Sequence, residues 1–170
     1  MGWRFVVKIS LLILSFVMTP AHSEENNFGN QNELVLQVSV PATEERTALV
    51  FGFTMAMLKA LPETVYKTST VWTEGLNEFK GARLVDLLAA IDARPKSVIA
   101  WAINDYMAEF DPTQDGWNEA LIAYSVNGKP MPVREKGPLW IVFPYNESPK
   151  FRSDYIYSQS VWQLNRIDVE

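Results

Sequence analysis

The strongest constraint on the fold is a series of short extended segments, several of which end directly before Pro or Asn. In the first one, apolar side chains at Leu34, Leu36, Val38 and Val40 alternate with polar ones up to Pro41. Alternation of this kind is typical of a strand buried on one face. Six further segments have strand-like composition: 64–72, 97–103, 107–110, 120–126, 139–143 and 161–169. The Asn127-Gly128 pair predicts a hairpin turn.

Only two segments have a helical period. In residues 83–91, apolar side chains recur at i, i+3, i+4 and i+7, namely Leu84, Leu87, Leu88 and Ile91. A shorter helix is expected over 53–61, with one face formed by Phe53, Ala56, Met57 and Ala60 and an end at Pro62. Residues 79–81 are interpreted as a turn and 146–154 as a polar loop. About seven strands with two or three short helices predict an α+β fold, with mixed sheets or a partial barrel.

The N-terminus has the pattern of a signal peptide over residues 1–23. Arg4 and Lys8 precede an apolar run over 9–18, and Ala21-His22-Ser23 fits the cleavage site. An uncleaved membrane anchor is the alternative, although the run is shorter than the roughly 20 residues that a span needs. Residues 24–32 are polar and are expected to form a disordered leader. Residues 33–170 are then predicted to form a single domain.

Cleavage would change the chemistry that the chain can carry out. Loss of Arg4 and Lys8 takes the formal net charge from -5 to -7, which argues against nucleic-acid binding. Cleavage would also remove His22, the single histidine, and the sequence contains no cysteine. This excludes Ser-His-Asp and Cys-His catalysis and thiolate or imidazole metal sites. Export without disulfides favours the periplasm, with no transmembrane segment after cleavage.

A loop with three cations leads into one of the apolar segments. Lys129, Arg134 and Lys136 precede Gly137, and residues 139–143 follow. Cations in such a loop are suited to binding a phosphate or a carboxylate. The alternative is a solvated hairpin loop without a ligand.

Carboxylates suggest two further sites. The triplet Asn104-Asp105-Tyr106 interrupts an apolar segment, so it forms either a turn with Asx hydrogen bonds or the rim of a site. Residues 111–116 resemble the first half of a calcium loop, but Ile122 stands where the bidentate carboxylate belongs. An acidic turn is therefore the favoured interpretation there.

Several motifs, taken in order, resemble those of a known family. They are Phe79-x-Gly81-x-x-Leu84-x-x-Leu87-Leu88, Asn104-Asp105-Tyr106, Asn127-Gly128-Lys129-Pro130-Met131, Gly137-Pro138 leading to Pro144, and Val161-Trp162 followed by Ile167-x-Val169. Together, over about residues 33–169, they resemble the oxidoreductase molybdopterin-binding domain. That domain gives the fold of sulfite oxidase and of the periplasmic methionine sulfoxide reductase catalytic subunit. The resemblance implies a sulfite-oxidase-like arrangement of mixed sheets.

The chain departs from that family where the chemistry takes place. Catalytic members hold molybdenum through a cysteine four residues before a tryptophan, which corresponds to Trp72 here. Thr68 stands at the position of that cysteine. A hydroxyl cannot replace the soft thiolate anion. The resemblance also implies that Trp140 replaces a cofactor-holding arginine and that Trp162 replaces a lysine. The sequence therefore does not identify a cofactor, and only the resemblance suggests molybdopterin.

We expect an exported, non-catalytic binding or sensory module that binds a small molecule or a partner such as a membrane receptor's periplasmic domain. The first alternative is an oxidoreductase that binds molybdopterin without a protein thiolate. The second is an acid–base enzyme using Asp105. The candidate pocket residues are Thr68, Trp72, Asn104, Asp105, Tyr106, Arg134, Lys136 and Trp140.

Overall fold

The structure is a computed structural model that describes residues 33–44 and 47–170. The predicted signal peptide and leader therefore lie outside the described residues. The strands are β1 (Leu34–Val40), β2 (Leu49–Thr54), β3 (Glu63–Thr70), β4 (Thr73–Arg83), β5 (Val98–Ala102), β6 (Met107–Phe110), β7 (Leu121–Val126), β8 (Lys129–Pro130), β9 (Trp140–Val142) and β10 (Leu164–Val169). The helices are α1 (Met55–Lys59), α2 (Leu84–Ala90) and α3 (Asp154–Ser158). Short 3-10 turns cover Trp117–Glu119, Val133–Glu135 and Pro149–Arg152.

The strands form two sheets, and neither closes into a barrel. The first sheet has the order β2-β1-β10-β5-β6, and β1 and β10 are parallel within it. The second has the order β3-β4-β7-β8, with β9 also paired to β7. One cluster of buried hydrophobic side chains includes residues of both sheets and of all three helices. The α+β prediction with mixed sheets and short helices is therefore confirmed.

The strongest local patterns predicted their elements correctly. Leu84, Leu87 and Leu88 of α2 are all buried, as their spacing requires. Asn127 and Gly128 join β7 to β8, and both have a positive φ, as the tightest hairpin turns demand.

Other local predictions were wrong. The helix expected over 53–61 is only α1, because Phe53 and Thr54 continue β2, a strand that was not predicted. The buried residue of α1 is Leu58, whereas Met57 is exposed. The spacing of the apolar side chains in this short helix therefore did not predict which of its faces is buried. The helix α3, the 3-10 turn before it and the late start of β10 at Leu164 were also missed.

The expected turn at residues 79–81 is a central part of β4. Phe79 pairs with Val126 and Gly81 pairs with Ala123 across the second sheet. Glycine occurs here because a Cβ atom at position 81 would overlap the backbone of Ile122. Close approach of two strands therefore explains this glycine, where a turn had been inferred.

Candidate functional site

The candidate residues fall into three places. Trp72 and Trp140 belong to one group of aromatic rings, Lys136 lies beside that group, and Thr68 is bonded to the loop at Asn146. Asn104, Asp105 and Tyr106 form the turn between β5 and β6. Arg134 is exposed in the 3-10 turn Val133–Glu135 and pairs with its neighbour Glu135 at 3.5 Å. Surface ion pairs of this kind contribute little to stability. Arg134 makes no other hydrogen bond or ion pair with the described residues that would place it in a binding site.

Thr68 is buried and its hydroxyl is used to hold a loop. It belongs to β3, and only 1% of its surface is exposed. The Oγ1 atom accepts a hydrogen bond from the backbone N–H of Asn146 at 3.1 Å. The neighbouring Ser69 hydroxyl donates to Oδ1 of Asn146 at 2.8 Å. Thr68, which stands where the resembling family has its metal ligand, therefore anchors Asn146 to β3.

Trp72 is the centre of an aromatic cluster. It makes edge-on contacts with four rings at centroid distances of 5.9 Å (Trp140), 6.3 Å (Tyr145), 5.6 Å (Tyr157) and 5.7 Å (Trp162). Such pairs contribute about 0.5–1.5 kcal/mol each beyond the area that they bury. We use "aromatic cluster" for these five residues. Their contacts fix the conformation of this region by packing.

The cluster has a buried floor and an exposed side. Trp140 and Tyr145 are each 1% exposed, whereas Trp72, Tyr157 and Trp162 are only half-buried. Burial raises the pKa of Tyr145, whose hydroxyl shares a 2.7 Å hydrogen bond with Ser160. Tyr145 is therefore a neutral, structural phenol at physiological pH.

Lys136 adds a cation to the exposed side of the cluster. Its Nζ atom lies 5.7 Å from the centroid of Trp140 and 6.0 Å from that of Trp162. An ammonium group near an aromatic face is attracted by about 0.5–1 kcal/mol at exposed sites. Lys136 also has a φ of 73°, a conformation that costs a non-glycine residue of order 1 kcal/mol or more. The cation is therefore held in a defined position beside two rings.

Hydrogen bonds tie this side of the cluster to the neighbouring loops. The N–H of Gln163 donates to the carbonyl of Lys136 at 2.9 Å, and the N–H of Ile103 donates to the carbonyl of Gln163 at 3.0 Å. The side-chain amide of Gln163 donates to the carbonyl of Val133 at 2.7 Å. The hydroxyl of Tyr106 donates to the carbonyl of Ser158 at 2.7 Å. The loops around residues 103–106, 133–136 and 158–163 are therefore joined.

We call the exposed part of this region the aromatic surface. It consists of Trp72, Tyr157, Trp162 and Lys136, with exposed Val71, Tyr106 and Val133 at its margin. Lys136 and Gln163 both have left-handed backbones, with φ values of 73° and 52°. Such conformations are enriched at binding sites. Tyr157 and Gln163 were not singled out from the sequence, because neither α3 nor the bend at 163 was predicted.

Asp105 lies apart from the aromatic cluster. It is exposed on the turn between β5 and β6 with a φ of 64°. Beside it, the Oδ1 atom of Asn104 accepts a hydrogen bond from the N–H of Tyr106 at 3.3 Å, as in an Asx turn. The acid–base alternative needs a carboxylate in a closed pocket, and Asp105 has no such environment.

The calcium-like segment is an acidic turn. The Asp111 carboxylate accepts hydrogen bonds from the N–H of Thr113 at 2.8 Å and from its hydroxyl at 2.7 Å. These bonds hold the pKa of Asp111 below its ordinary value. Asp115 pairs with Lys150 at 2.9 Å. Within residues 33–44 and 47–170, no group of three or more His, Cys, Asp or Glu side chains is arranged to hold a metal ion.

The residues present do not fit a molybdenum cofactor of the kind that the resemblance implies. The Thr68 hydroxyl is bonded to the backbone of residue 146, and Trp140 packs edge-on against Phe79 at 5.4 Å. The position that the resemblance assigns to the metal ligand thus holds a hydroxyl bonded to the backbone, and the position that it assigns to a cofactor-holding cation holds a packed ring.

The chain matches no model of a known protein family, and none of the curated proteins is significantly similar to it. Among the described residues, no helix is both long enough and apolar enough to cross a membrane. The structure defines an α+β domain with two sheets, three short helices and an aromatic cluster that is partly exposed. The resemblance to molybdopterin-binding domains rests on the sequence motifs alone.

Proposed function

We propose that this protein is an exported, non-catalytic binding module and that a partner protein docks on its aromatic surface. The observation that supports this most directly is the aromatic cluster itself. It includes Trp140, which stands where the resemblance implies a cofactor-holding arginine, and it leaves three rings half-exposed. Packed rings with an exposed edge support association with a partner better than redox chemistry.

The composition of the aromatic surface favours a protein partner over a small molecule. Trp and Tyr are enriched at the energetic centres of protein–protein interfaces. Two clefts, one beside α2 and one on the first sheet, are lined by other residues than Trp72, Trp162 and Lys136. Two exposed apolar residues are linked to this surface: Val71 precedes Trp72 in the chain, and the carbonyl of Val133 accepts a hydrogen bond from Gln163, which follows Trp162. The periplasmic domain of a membrane receptor is one partner consistent with export.

The first alternative is a molybdopterin-binding oxidoreductase without a thiolate ligand. Lys136 is the cation in the aromatic surface available to a pterin phosphate. Against this, the pterin would have to displace rings that pack on one another at 5.4–5.9 Å. The cofactor content of the purified protein separates the two proposals.

Site-specific photo-crosslinking tests the docking proposal. A photoreactive residue at Val71 or Val133, which are 64% and 51% exposed, is expected to capture the same partner protein in cells. The control position is Val50, which is 65% exposed on β2 in the first sheet. Equal capture at Val50, or no discrete adduct at either test position, would refute the proposal.

The substitution Lys136→Ala provides the matched loss of function. It removes the cation beside Trp140 and Trp162 but leaves the buried rings in place. We place Lys136 among the minority of interface residues whose truncation costs more than about 1 kcal/mol, so capture at Val71 is expected to fall at least about fivefold. The control is Lys129→Ala, which removes an exposed cation of β8. It is expected to leave capture unchanged.

A further inference from the structure

A small polar cleft lies on the first sheet, away from the aromatic cluster. It encloses about 230 Å³ and is bordered by Gln37, Trp101, Ile103, Asp105, Asn165 and Arg166. Gln37, Arg166 and Trp101 are aligned across β1, β10 and β5 by the strand register. These side chains belong to the sheet itself and are therefore placed by its pairing, as a rigid binding site requires.

Arg166 is fixed from two sides. Its guanidinium carbon lies 4.4 Å from the centroid of the Trp101 ring, and its Nε atom lies 3.3 Å from Oδ2 of Asp168. The same Oδ2 atom accepts a hydrogen bond from Nε1 of Trp101 at 2.7 Å. None of the hydrogen bonds among the described residues uses the two terminal nitrogens of Arg166. This arrangement orients a planar donor pair of the kind that binds carboxylates.

A negative charge borders the same cleft. Asp105 is exposed at the turn after β5, and its carboxylate makes no hydrogen bond with the other described residues. The side-chain amides of Gln37 and Asn165 add neutral donors and acceptors. The cleft thus carries a guanidinium group, a carboxylate and two amides, together with the half-exposed Ile103.

We infer that this cleft binds a small zwitterion, a free α-amino acid. Its carboxylate would lie against Arg166 and Asn165, and its ammonium group against Asp105. Arg166 is paired with Asp168 through Nε, but its two terminal nitrogens still offer hydrogen bonds to a carboxylate, and Asp105 offers its carboxylate to an ammonium group. A zwitterion makes both interactions, whereas a simple anion or a simple cation makes one of them. Pockets for drug-sized ligands measure about 300–1,000 Å³, so a cleft of about 230 Å³ suits a smaller molecule.

The inference stands apart from the docking proposal, because the two sites share no side chain. They do share a loop: Ile103 borders the cleft, and its N–H donates to Gln163 beside Trp162. Failure of amino-acid binding would leave the docking proposal intact. Failure of docking would likewise leave the cleft intact.

Calorimetric titration of the exported chain with each of the twenty amino acids tests the inference. At least one is expected to bind, and its deaminated and decarboxylated analogues are expected to bind at least about tenfold more weakly, since each lacks one charged hydrogen bond. No binding by any amino acid at millimolar concentration would overturn the inference. So would equal binding of the deaminated acid.

Two substitutions localise the binding. Arg166→Gln and Asp105→Asn should each weaken it by about tenfold or more. Asp105→Asn also guards against misfolding, because the residue is exposed and asparagine tolerates its left-handed backbone. The control is Arg94→Gln, which replaces an exposed arginine at the border of the other cleft. It should leave amino-acid binding unchanged. Binding that survives both test substitutions would contradict the assignment to this cleft.

Discussion

Replacing Trp140 with alanine is expected to lower the free energy of unfolding by about 4 kcal/mol, the usual cost of emptying a large aromatic position in a core. Trp140 is 1% exposed and packs edge-on against both Phe79 and Trp72. Its backbone also pairs with Ala123 in β7 and forms a bridge to Trp162. The floor of the aromatic cluster would be lost. Urea unfolding followed by circular dichroism measures the change.

Trp140→Phe is the matched control. It keeps a ring in contact with Phe79 and removes the indole N–H, which is buried without an acceptor among the described residues. An unsatisfied buried donor costs about 1–3 kcal/mol, so its removal offsets part of the lost packing. We therefore expect the phenylalanine variant to lose less than half of the stability lost by the alanine variant. A loss below about 1 kcal/mol for Trp140→Ala would contradict a filled cluster.

Replacing Gly81 with alanine is expected to have the second largest effect, about 3 kcal/mol of lost stability. A Cβ atom at this position would overlap the carbonyl oxygen of Ile122 and lie 2.7 Å from the Cα atom of Ala123. Both are backbone atoms of β7, so relief requires the strand itself to move away from β4. The pairing already shifts register between Lys80 and Gly81. Thermal unfolding measures the loss.

Gly75→Ala in the same strand separates crowding from backbone conformation. Gly75 has a φ of 66°, but a Cβ atom there meets nothing within 4 Å. The expected loss is about 1 kcal/mol, from the left-handed backbone alone. Equal losses at positions 75 and 81 would show that crowding against β7 does not explain the glycine at 81.

Part of the fold could be predicted because local patterns determine it. The spacing of Leu84, Leu87 and Leu88 required α2, and Asn127-Gly128 required a hairpin. Gly81 was misassigned because a glycine needed for close strand contact looks the same in sequence as one needed for a turn. The helix α3 has five residues, too few for a period to show, and it is held by tertiary packing of Ile156.

The candidate site could be predicted only in part. Trp72 and Trp140 are in contact, whereas the buried Thr68 binds the backbone of Asn146, the residue after Tyr145 of the aromatic cluster. The sequence could not show that Asp105 borders a cleft with Arg166 and Gln37, because strand pairing between β1, β10 and β5 brings them together. Contacts between residues more than 60 positions apart leave no local pattern. Tyr157 was missed for the same reason.

The cofactor content of the purified protein tests the central claim most directly. The wild-type protein and the Thr68→Cys variant should be purified from a host that makes molybdopterin and is supplied with molybdate. Molybdenum is then measured by elemental analysis, and pterin by fluorescence after oxidation. Because the Thr68 hydroxyl is bonded to Asn146 and the Trp140 ring is packed against Trp72 and Phe79, we expect neither protein to hold molybdenum or pterin above background, even with a thiol introduced. Stoichiometric molybdenum or pterin in either protein would contradict a non-catalytic, filled site.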